Sequence, residues 1–467
     1  MRTGTLVLGF ATLTGGLLCL SAATFAQAVN PTPKITPSEN LAALPPQPPM
    51  TPGVEHLFGD WGGLRTYLGQ YGIDVLLDNT NEFAGNVAGG LKQSATNAGQ
   101  VGLQVDIDWD KLAGLQGFTT HTAIVGRYGA NLSSNIGDDL TQVQEIYGAG
   151  GNVVAHMVYM YGELSLRNNT IDIAVGRMPT GNDFSASPLN CSFMNLNICG
   201  NPKALVGQPG GLTAWPDATW GGRARVRPTQ DTYLMFGIYQ VNQNLYGVGA
   251  GFRSGWLLSG SGDTGVEVPA EVAWEPKFGS DSLPGHYKLG LGFDSSSYPV
   301  WSPFATAGAS GGTGQSSQQG RLQFWALADQ MIRRNGPGDK DGLILLTGVA
   351  HDSPAATFVY GDEVFGGVID RGFWSARPRD TLAGMVSFLR VSDRLTDVQQ
   401  IDEFYGLPLA NGATGVQTGE VILEANYQIQ VTQGVSLMPD FQYVIRPNGQ
   451  GNIPNAVVLG FRSHIEF

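Results

Sequence analysis

The sequence has 467 residues, 66 of them glycine, and a formal net charge of −13 at pH 7. Only 14% of the residues are charged, against about 25% in an average soluble domain. This composition suits long polar loops and membrane-facing strands. The acidic balance argues against nucleic acid as a partner, because it leaves no basic patch.

Residues 1–28 have the features of a secretory signal peptide. Arg2 supplies the positive charge, Leu6 to Leu20 form the apolar stretch, and Ala26-Gln27-Ala28 offers a cleavage site. We therefore predict Sec-type export with cleavage near Ala28, which leaves a periplasmic chain, a secreted chain or a β-barrel in the outer membrane of a Gram-negative cell. After residue 28 no apolar run reaches the 18 residues that a transmembrane helix requires.

Residues 29–57 are rich in proline and are predicted to be an extended periplasmic linker, because such a segment cannot form a packed core. Residues 58–467 are predicted to form one domain. It starts with a short helix that Asp60 caps and that continues through Leu64 and Leu68. Strands are predicted from Ile73 onward.

Apolar and polar residues then alternate with a period of two, which predicts strands. Around Arg127, Arg177 and Arg390 the charge falls in the apolar register, so these positions indicate either strand ends or a different register. The predicted polar faces carry Asp106 and Asp108, Glu163 and Arg167, Arg223, Arg225 and Arg227, Glu267 and Glu271, and Glu420 and Glu424.

Residues 178–211 are a long polar stretch that is predicted to be a loop. Cys191 and Cys199 lie in it, and in an exported chain a disulfide between them is plausible, with free thiols as the alternative. A metal site would need neighbouring histidines, which the stretch lacks. A second predicted loop, 307–320, contains GASGG (308–312). This matches the G-x-S-x-G of hydrolases without the strand and helix that the motif requires.

Residues 419–447 predict a β-hairpin. Val421 and Leu423 alternate with Glu420 and Glu424, a Thr-Gln-Gly turn follows, and the alternation resumes at Val435. The apolar face of such a hairpin points inward in a soluble sandwich and outward, to lipid, in an outer-membrane barrel.

Three observations favour the barrel. The chain is exported, aromatic residues (Trp109, Trp274 and Tyr287) stand at strand ends as in an interfacial girdle, and the chain ends on Phe467. A terminal strand that closes on Phe is typical of the signal for the outer-membrane barrel assembly machinery. We therefore predict an all-β fold, a transmembrane antiparallel β-barrel of about 16 strands, with a short N-terminal helix and with outer-membrane lipids around it.

The barrel interpretation assigns the two faces. Every backbone group must be paired in lipid, so the sheet must close, and the polar faces then line a lumen wide enough for water. The three arginines of 223–227 should point inward, because an Arg at the bilayer midplane costs about 2–4 kcal/mol. Residues 178–211 are long enough to fold back and narrow this lumen.

Several stretches, taken together, are typical of one family: FGDWGGLRTYLGQYGIDV (58–75), AVGRMPTGNDF (174–184), WGGRARVRPTQDTYLMFGIYQVN (220–242) and VFGGVIDRGFWSARPRDTLAGMV (364–386). Over nearly the whole mature chain the sequence resembles the carbohydrate-selective porins of the OprB type. The Pro-rich segment before GDWGG departs from that pattern. The resemblance implies a sixteen-stranded outer-membrane barrel that passes monosaccharides such as glucose by diffusion, through a constriction with charged and aromatic side chains.

Paired Arg and Asp/Glu side chains in a lumen would give sugar hydroxyls charge-assisted hydrogen bonds. Trp220, Trp325 and Trp374 are possible stacking platforms, although for each of them a place in the girdle is favoured. We expect no catalytic residue, cofactor or metal, and a weak cation preference if the acidic excess lies in the pore. The alternatives are a general unselective porin, an outer-membrane barrel enzyme and a periplasmic sugar-binding sandwich. The pore-lining candidates are the residues of the polar faces given above together with Trp325.

Overall fold

The computed structural model describes residues 56–147, 153–207, 210–243, 245, 255–256, 260–302, 317–353 and 359–467. Within them sixteen antiparallel strands close into one sheet, as predicted. A further two-residue strand, β9 (Lys277–Phe278), pairs with the start of β10. The barrel strands are β1 (Ile73–Ala88), β2 (Ser94–Asp108), β3 (Phe118–Gly129), β4 (Val153–Leu166), β5 (Ile171–Met178), β6 (Thr219–Thr229), β7 (Thr232–Asn242), β8 (Asp263–Trp274), β10 (Leu283–Pro299), β11 (Ser317–Arg334), β12 (Gly342–Asp352), β13 (Tyr360–Arg371), β14 (Thr381–Val391), β15 (Gly419–Thr432), β16 (Val435–Ile445) and β17 (Ala456–Glu466).

Short helices lie in the connections. The predicted N-terminal helix is present and begins after a 3-10 turn at Trp61–Gly63. Asp60 Oδ1 accepts the amide N–H of Thr66 at 2.7 Å. In the described part of the chain no helix combines the length and apolar character needed to cross a membrane. The helices are α1 (Leu64–Gln70), α2 (Trp109–Ala113), α3 (Ser133–Ile136), α4 (Lys203–Val206) and α5 (Asp393–Phe404).

Pairing of the first and last strands closes the barrel. β1 pairs with β2 on one side and with β17 on the other, where Asp78 lies opposite Glu466. The remaining barrel strands pair with their neighbours in the chain, so the closed sheet leaves no unpaired edge in the lipid. The predicted hairpin is β15–β16, in which Thr432 lies opposite Val435.

The two ends of the barrel differ in their connections. Phe467 and short connections such as 167–170, 230–231 and 433–434 lie at one end, which we call the turn end. Long connections, among them 130–152, 179–218 and 392–418, join the strands at the other end, the loop end. The predicted signal peptide (1–28), most of the predicted linker (29–57) and the GASGG sequence lie outside the described residues.

The apolar faces of the strands point outward. Leu289 on β10 is 50% exposed and Val272 on β8 is 43% exposed, whereas Lys288 and Glu271 beside them are buried. The same inversion holds on β15, where Glu424 is buried and Leu423 is exposed. An exposed aliphatic face around a buried charged face is the reverse of a soluble sandwich. It confirms the orientation predicted for a barrel in lipid.

Some inward-facing positions are apolar as well. Met385 and Leu389 on β14 and Val125 on β3 are buried inside the barrel. They belong to one hydrophobic cluster with Phe193 and Leu205, which lie in the connection between β5 and β6. Inserted chain therefore fills part of the lumen. The division into an apolar outer face and a polar inner face holds only along the part of the lumen that is not filled.

This filling accounts for two of the three arginines that broke the sequence pattern. Arg127 is buried, with its Nε donating to Gln100 Oε1 on β2 at 2.7 Å. Arg177 is buried at the end of β5. Arg390 is partly exposed at the loop end, where its Nη1 donates to Asp362 at 3.0 Å. Only Arg390 is therefore a charge at an exposed strand end.

Candidate functional site

Residues 179–207 and 210–218, between β5 and β6, fold into the barrel interior. We call them the inserted segment. The backbone N–H groups of Met194 and Asn195 donate to the carboxylate of Glu424 on β15, and the N–H of Ser185 donates to Glu271 on β8 at 2.9 Å. Buried backbone donors need acceptors, and carboxylates of the wall supply them. Two further contacts of this kind join Ala204 to Glu363 on β13 and Gly211 to Asp294 on β10.

A second connection, between β3 and β4, also packs on the wall. Asp138 and Glu420 of β15 share their donors: Asn448 N–H and Thr141 Oγ1–H each contact both carboxyl groups. Burial raises the pKa of Asp138 to about 6. The paired carboxyl groups therefore hold this connection in place most firmly when they share a proton.

The two connections contact each other inside the barrel. The amine of Lys203 on α4 donates to Gln142 Oε1 at 3.2 Å, and the N–H of Leu196 donates to the carbonyl of Gln142 at 2.8 Å. Burial lowers the pKa of Lys203 to about 8. The inserted segment is thus held both by the wall and by the neighbouring connection.

A disulfide joins Cys191 to Cys199 within the inserted segment. Arg462 on β17 donates to the carbonyl oxygens of Cys191 and Phe193 at 3.1 and 3.0 Å, and its Nε donates to Glu82 on β1 at 2.8 Å. The small covalent ring is therefore fixed to the two strands at which the barrel closes.

The three arginines of β6 are each paired with carboxylates. Arg223 contacts Glu163 and Asp183 at 2.7 and 3.0 Å. Arg225 and Arg227 make similar pairs, which follow β6 toward the turn end. Arg225 Nη2 lies 2.9 Å from Asp172 and Arg227 Nη1 lies 2.8 Å from Glu275.

Arg223 belongs to a larger group of side chains. Tyr161 lies opposite His121 in the β3–β4 register, and their rings stack with centroids 4.8 Å apart. His121 Nδ1 lies 2.7 Å from Asp106 on β2. A side chain at Gly176 would collide with the backbone of β4, because its Cβ would lie 2.5 Å from Met160 O. We define the Arg223 cluster as Asp106, His121, Tyr161, Glu163, Asp183 and Arg223.

The cluster offers what a neutral polyol needs. The buried Arg223 guanidinium orients the carboxylate of Asp183. The partly exposed side chains of Asp183, Asp106 and His121 offer a sugar hydrogen-bonding groups and one flat ring face. Asp183 and His121 keep 13% and 15% of their side chains exposed, so the cluster remains open to solvent while most inward-facing groups of the wall are buried.

Other predicted site residues lie elsewhere. Arg167 has a φ of 51° and is exposed in the β4–β5 turn. Strand β4 ends before this residue, so the prediction that Arg167 faces the lumen is wrong. Asp108 caps α2 through the N–H groups of Asp110 and Lys111. Glu267 is buried in the interior, and neither of its carboxylate oxygens has a hydrogen-bond partner.

Trp325 corrects the girdle prediction. Its side chain is buried inside the barrel, and its Nε1–H donates to Glu271 at 2.6 Å. Tyr233 donates to the same carboxylate at 2.6 Å. Trp374 is exposed in the β13–β14 turn and Trp220 is half-buried on β6. Glu271 thus bonds to the inserted segment and Trp325 bonds to Glu271, and both side chains are too buried to contact a solute.

Sequence reasoning missed one charged group. Arg127 Nη2 lies 3.5 Å from Glu145 of the β3–β4 connection, and Asp217 of the inserted segment lies within the field of Arg127 and Arg177. Burial raises the pKa of Asp217 to about 7, against the opposing effect of the two arginines. The signal for this group was the charge in an apolar register at 127 and 177. Within the described residues no three His, Cys, Asp or Glu side chains are arranged to hold a metal ion.

A closed sixteen-stranded barrel with an apolar outer face and a charged interior, narrowed by inserted chain, is the architecture of an outer-membrane porin. A family model described as carbohydrate-selective porin, OprB family, matches residues 92–467. The chain belongs to this family.

Relatives agree with this assignment. Porin B of Pseudomonas aeruginosa is 30% identical over 436 residues, which are 89% of this chain and 92% of that protein. Putative porin QuiX of Acinetobacter baylyi is 29% identical over 428 residues, 88% of this chain and 93% of that protein. The high-pH structure of Pseudomonas putida OprB is 27% identical with a TM-score of 0.79, covering 89% of this chain and 99% of that one. These relatives are channels, and the turn end of this barrel accordingly faces the periplasm.

Proposed function

We propose that this porin passes monosaccharides such as glucose by passive diffusion, and that the Arg223 cluster contacts them on the way. The observation that carries the proposal is the inserted segment, bonded to carboxylates on β8, β10, β13 and β15. The inserted segment reduces the width of the lumen, which in an empty barrel of sixteen strands would be large. Small solutes are therefore favoured over larger ones.

The chemistry of the cluster supports a neutral polyol over other small solutes. A sugar must exchange hydroxyl–water hydrogen bonds for bonds to fixed groups. The buried Arg223–Glu163 ion pair holds Asp183 in place, and Asp183, Asp106 and His121 keep part of their side chains exposed to a solute. Because the charges of Arg223 and Glu163 neutralise each other, the cluster attracts neither cations nor anions strongly. Contacts of this kind remain weak enough for release, as conduction requires.

Liposome swelling tests the proposal. Proteoliposomes should swell faster in glucose than in a disaccharide or in an amino acid of glucose's size. Arg223→Lys keeps the charge but loses the planar geometry of the guanidinium, and it should lower the preference for glucose over the amino acid. Arg167→Lys, in the exposed turn, is the matched control. Equal swelling rates for glucose and the amino acid would indicate the alternative, a general unselective porin.

Processing and assembly belong to the same proposal. Residues 1–28 would be removed near Ala28 after Sec-type export, residues 29–57 would remain as a periplasmic linker, and residues 58–467 would form the barrel. Phe467 would be read by the barrel assembly machinery before closure. N-terminal sequencing of the protein purified from outer membranes tests the cleavage site, which should leave Val29 first.

A further inference from the structure

Helix α1 and the residue that follows it carry an apolar stripe that stays largely exposed. Leu64, Tyr67 and Leu68 of α1 and its C-cap Tyr71 recur at the i, i+3, i+4 and i+7 spacing of one helix face. Tyr67 is 55% exposed, and Leu64 and Tyr71 are each 48% exposed. A short amphipathic helix normally buries this face against its own protein. Here the face is left open.

The opposite side of α1 and the residues before it hold the helix to the barrel. Arg65 donates to the carbonyl of Val75 at 2.8 Å and to the main-chain oxygen of Phe467, and its guanidinium lies 4.0 Å from the centre of the Trp61 ring. The N–H of Leu57 donates to the carbonyl of Glu466 at 2.7 Å. The position of α1 is thus fixed at the turn end by polar contacts to β1 and β17.

This position continues the lipid-facing wall. The ring of Phe58, 63% exposed, stacks on Phe467 with centroids 5.7 Å apart. Phe467 follows the outward-facing column of β17, in which Leu459 and Phe461 are exposed. The open stripe therefore lies beside the boundary between hydrocarbon and water, at the end of the barrel that faces the periplasm.

We propose that α1 is an interfacial helix that inserts Leu64, Tyr67 and Tyr71 into the periplasmic leaflet of the outer membrane. Its occupant is the headgroup and upper acyl region of phospholipids, where tyrosine rings and a leucine side chain are both accommodated. Thr66 and Gly69 lie on the opposite face, are exposed, and face the periplasmic water.

The insertion has a consequence for the chain that precedes it. Because α1 lies on the leaflet at the barrel rim, Leu57 also lies beside the wall, where its N–H bonds to Glu466 of β17. The helix stabilises the barrel end from outside the lumen and leaves solute passage unobstructed.

Spin labels test this arrangement in proteoliposomes of phosphatidylethanolamine and phosphatidylglycerol. Single cysteines replace Leu64 and Tyr67 on the stripe, and Thr66 and Gly69, where an added side chain meets open space, serve as matched controls on the other face of the same helix. Collision with oxygen, which concentrates in lipid, should exceed collision with a water-soluble nickel chelate at 64 and 67. The order should reverse at 66 and 69.

Each other outcome contradicts the proposal. If all four labels collide freely with the nickel chelate, α1 projects into water. If the labels at 64 and 67 are shielded from both reagents, a second copy or another protein covers the stripe. Heat-dependent migration in gel electrophoresis shows that each variant has formed its barrel. Leu64→Ser with Tyr67→Ser should leave glucose swelling unchanged, which separates this inference from the proposed transport function.

Discussion

Arg223 shows how tightly single charges are matched inside this barrel. Its guanidinium contacts Glu163 and Asp183, and all but 3% of the residue is buried. Arg223→Met should leave two carboxylates without their cation, at a cost of about 3–5 kcal/mol. Urea unfolding of the detergent-refolded protein measures this change. Arg167→Met in the exposed turn should leave the midpoint unaltered, and equal effects of the two substitutions would contradict the pairing.

A second prediction at this scale concerns pH. The pKa of Asp138 is raised by burial from 3.8 to about 6, so the folded protein binds this proton more tightly than the unfolded chain. The resulting stabilisation is complete below about pH 4 and is lost as the pH rises through 6. A rise of about two units corresponds to roughly 3 kcal/mol.

Hydrogen exchange detects this loss. Protection factors of residues 133–146 should fall between pH 5 and pH 7, after correction for the intrinsic exchange rate. Asp138→Asn removes one carboxyl group from the pair and should abolish the dependence, whereas Asp139→Asn, at the exposed neighbouring position, should preserve it. If the pH dependence of hydrogen exchange were unchanged in the Asp138→Asn protein, its assignment to Asp138 and Glu420 would be wrong.

The candidate site was predictable in part at the scale of residues. The period of two predicts Arg223, Glu163 and Asp106 on the inward face, where they lie, because the bilayer forbids charge on the other face; it does not show that they line the pore. It could not distinguish these residues from Glu271 and Glu424, which lie on the same kind of face. The difference is made by the backbone of the inserted segment, whose N–H groups bond to the carboxylates of Glu271 and Glu424. That contact joins residues far apart in the chain, and no local pattern encodes it.

At the scale of elements, the inserted segment should depend on its wall contacts. Glu424→Ala leaves the buried N–H groups of Met194 and Asn195 without acceptors, at about 1–3 kcal/mol for each. We expect the segment to loosen, with a larger and noisier single-channel conductance in planar bilayers. Glu403→Ala on the exposed face of α5 is the control. Unchanged conductance in the Glu424→Ala channel would show that other contacts suffice.

Strands and hairpins were the most predictable elements. The β15–β16 hairpin followed from alternation and a turn because lipid outside and charge inside impose opposite demands on neighbouring residues. On β14 this contrast disappears, since Met385 and Leu389 pack against inserted chain while Val386 and Phe388 face lipid. A strand that is apolar on both faces has no readable orientation. The same holds on β11, where Trp325 and Leu327 point inward while Leu322 and Phe324 face lipid, so the girdle prediction for Trp325 was wrong.

At the scale of the whole molecule, charge decides ion preference. Among the described buried residues, eighteen are Asp or Glu and eight are Lys or Arg. Some of these carboxyl groups share protons, so the excess predicts a weak cation preference and no strong one. The reversal potential of single channels in a KCl gradient should shift slightly toward that of potassium. Asp106→Asn should reduce the shift, and a shift toward chloride would contradict the prediction.

The manner in which the inserted segment is held also bears on how such channels diversify. Carboxylates of the barrel wall accept hydrogen bonds from its main chain, through the amides of Ser185, Met194, Asn195, Ala204 and Gly211. Amides are common to all residues except proline, so side chains along the segment can be exchanged without releasing it. One scaffold can therefore host many different apertures, and new selectivities become reachable by point substitution without redesign of the wall.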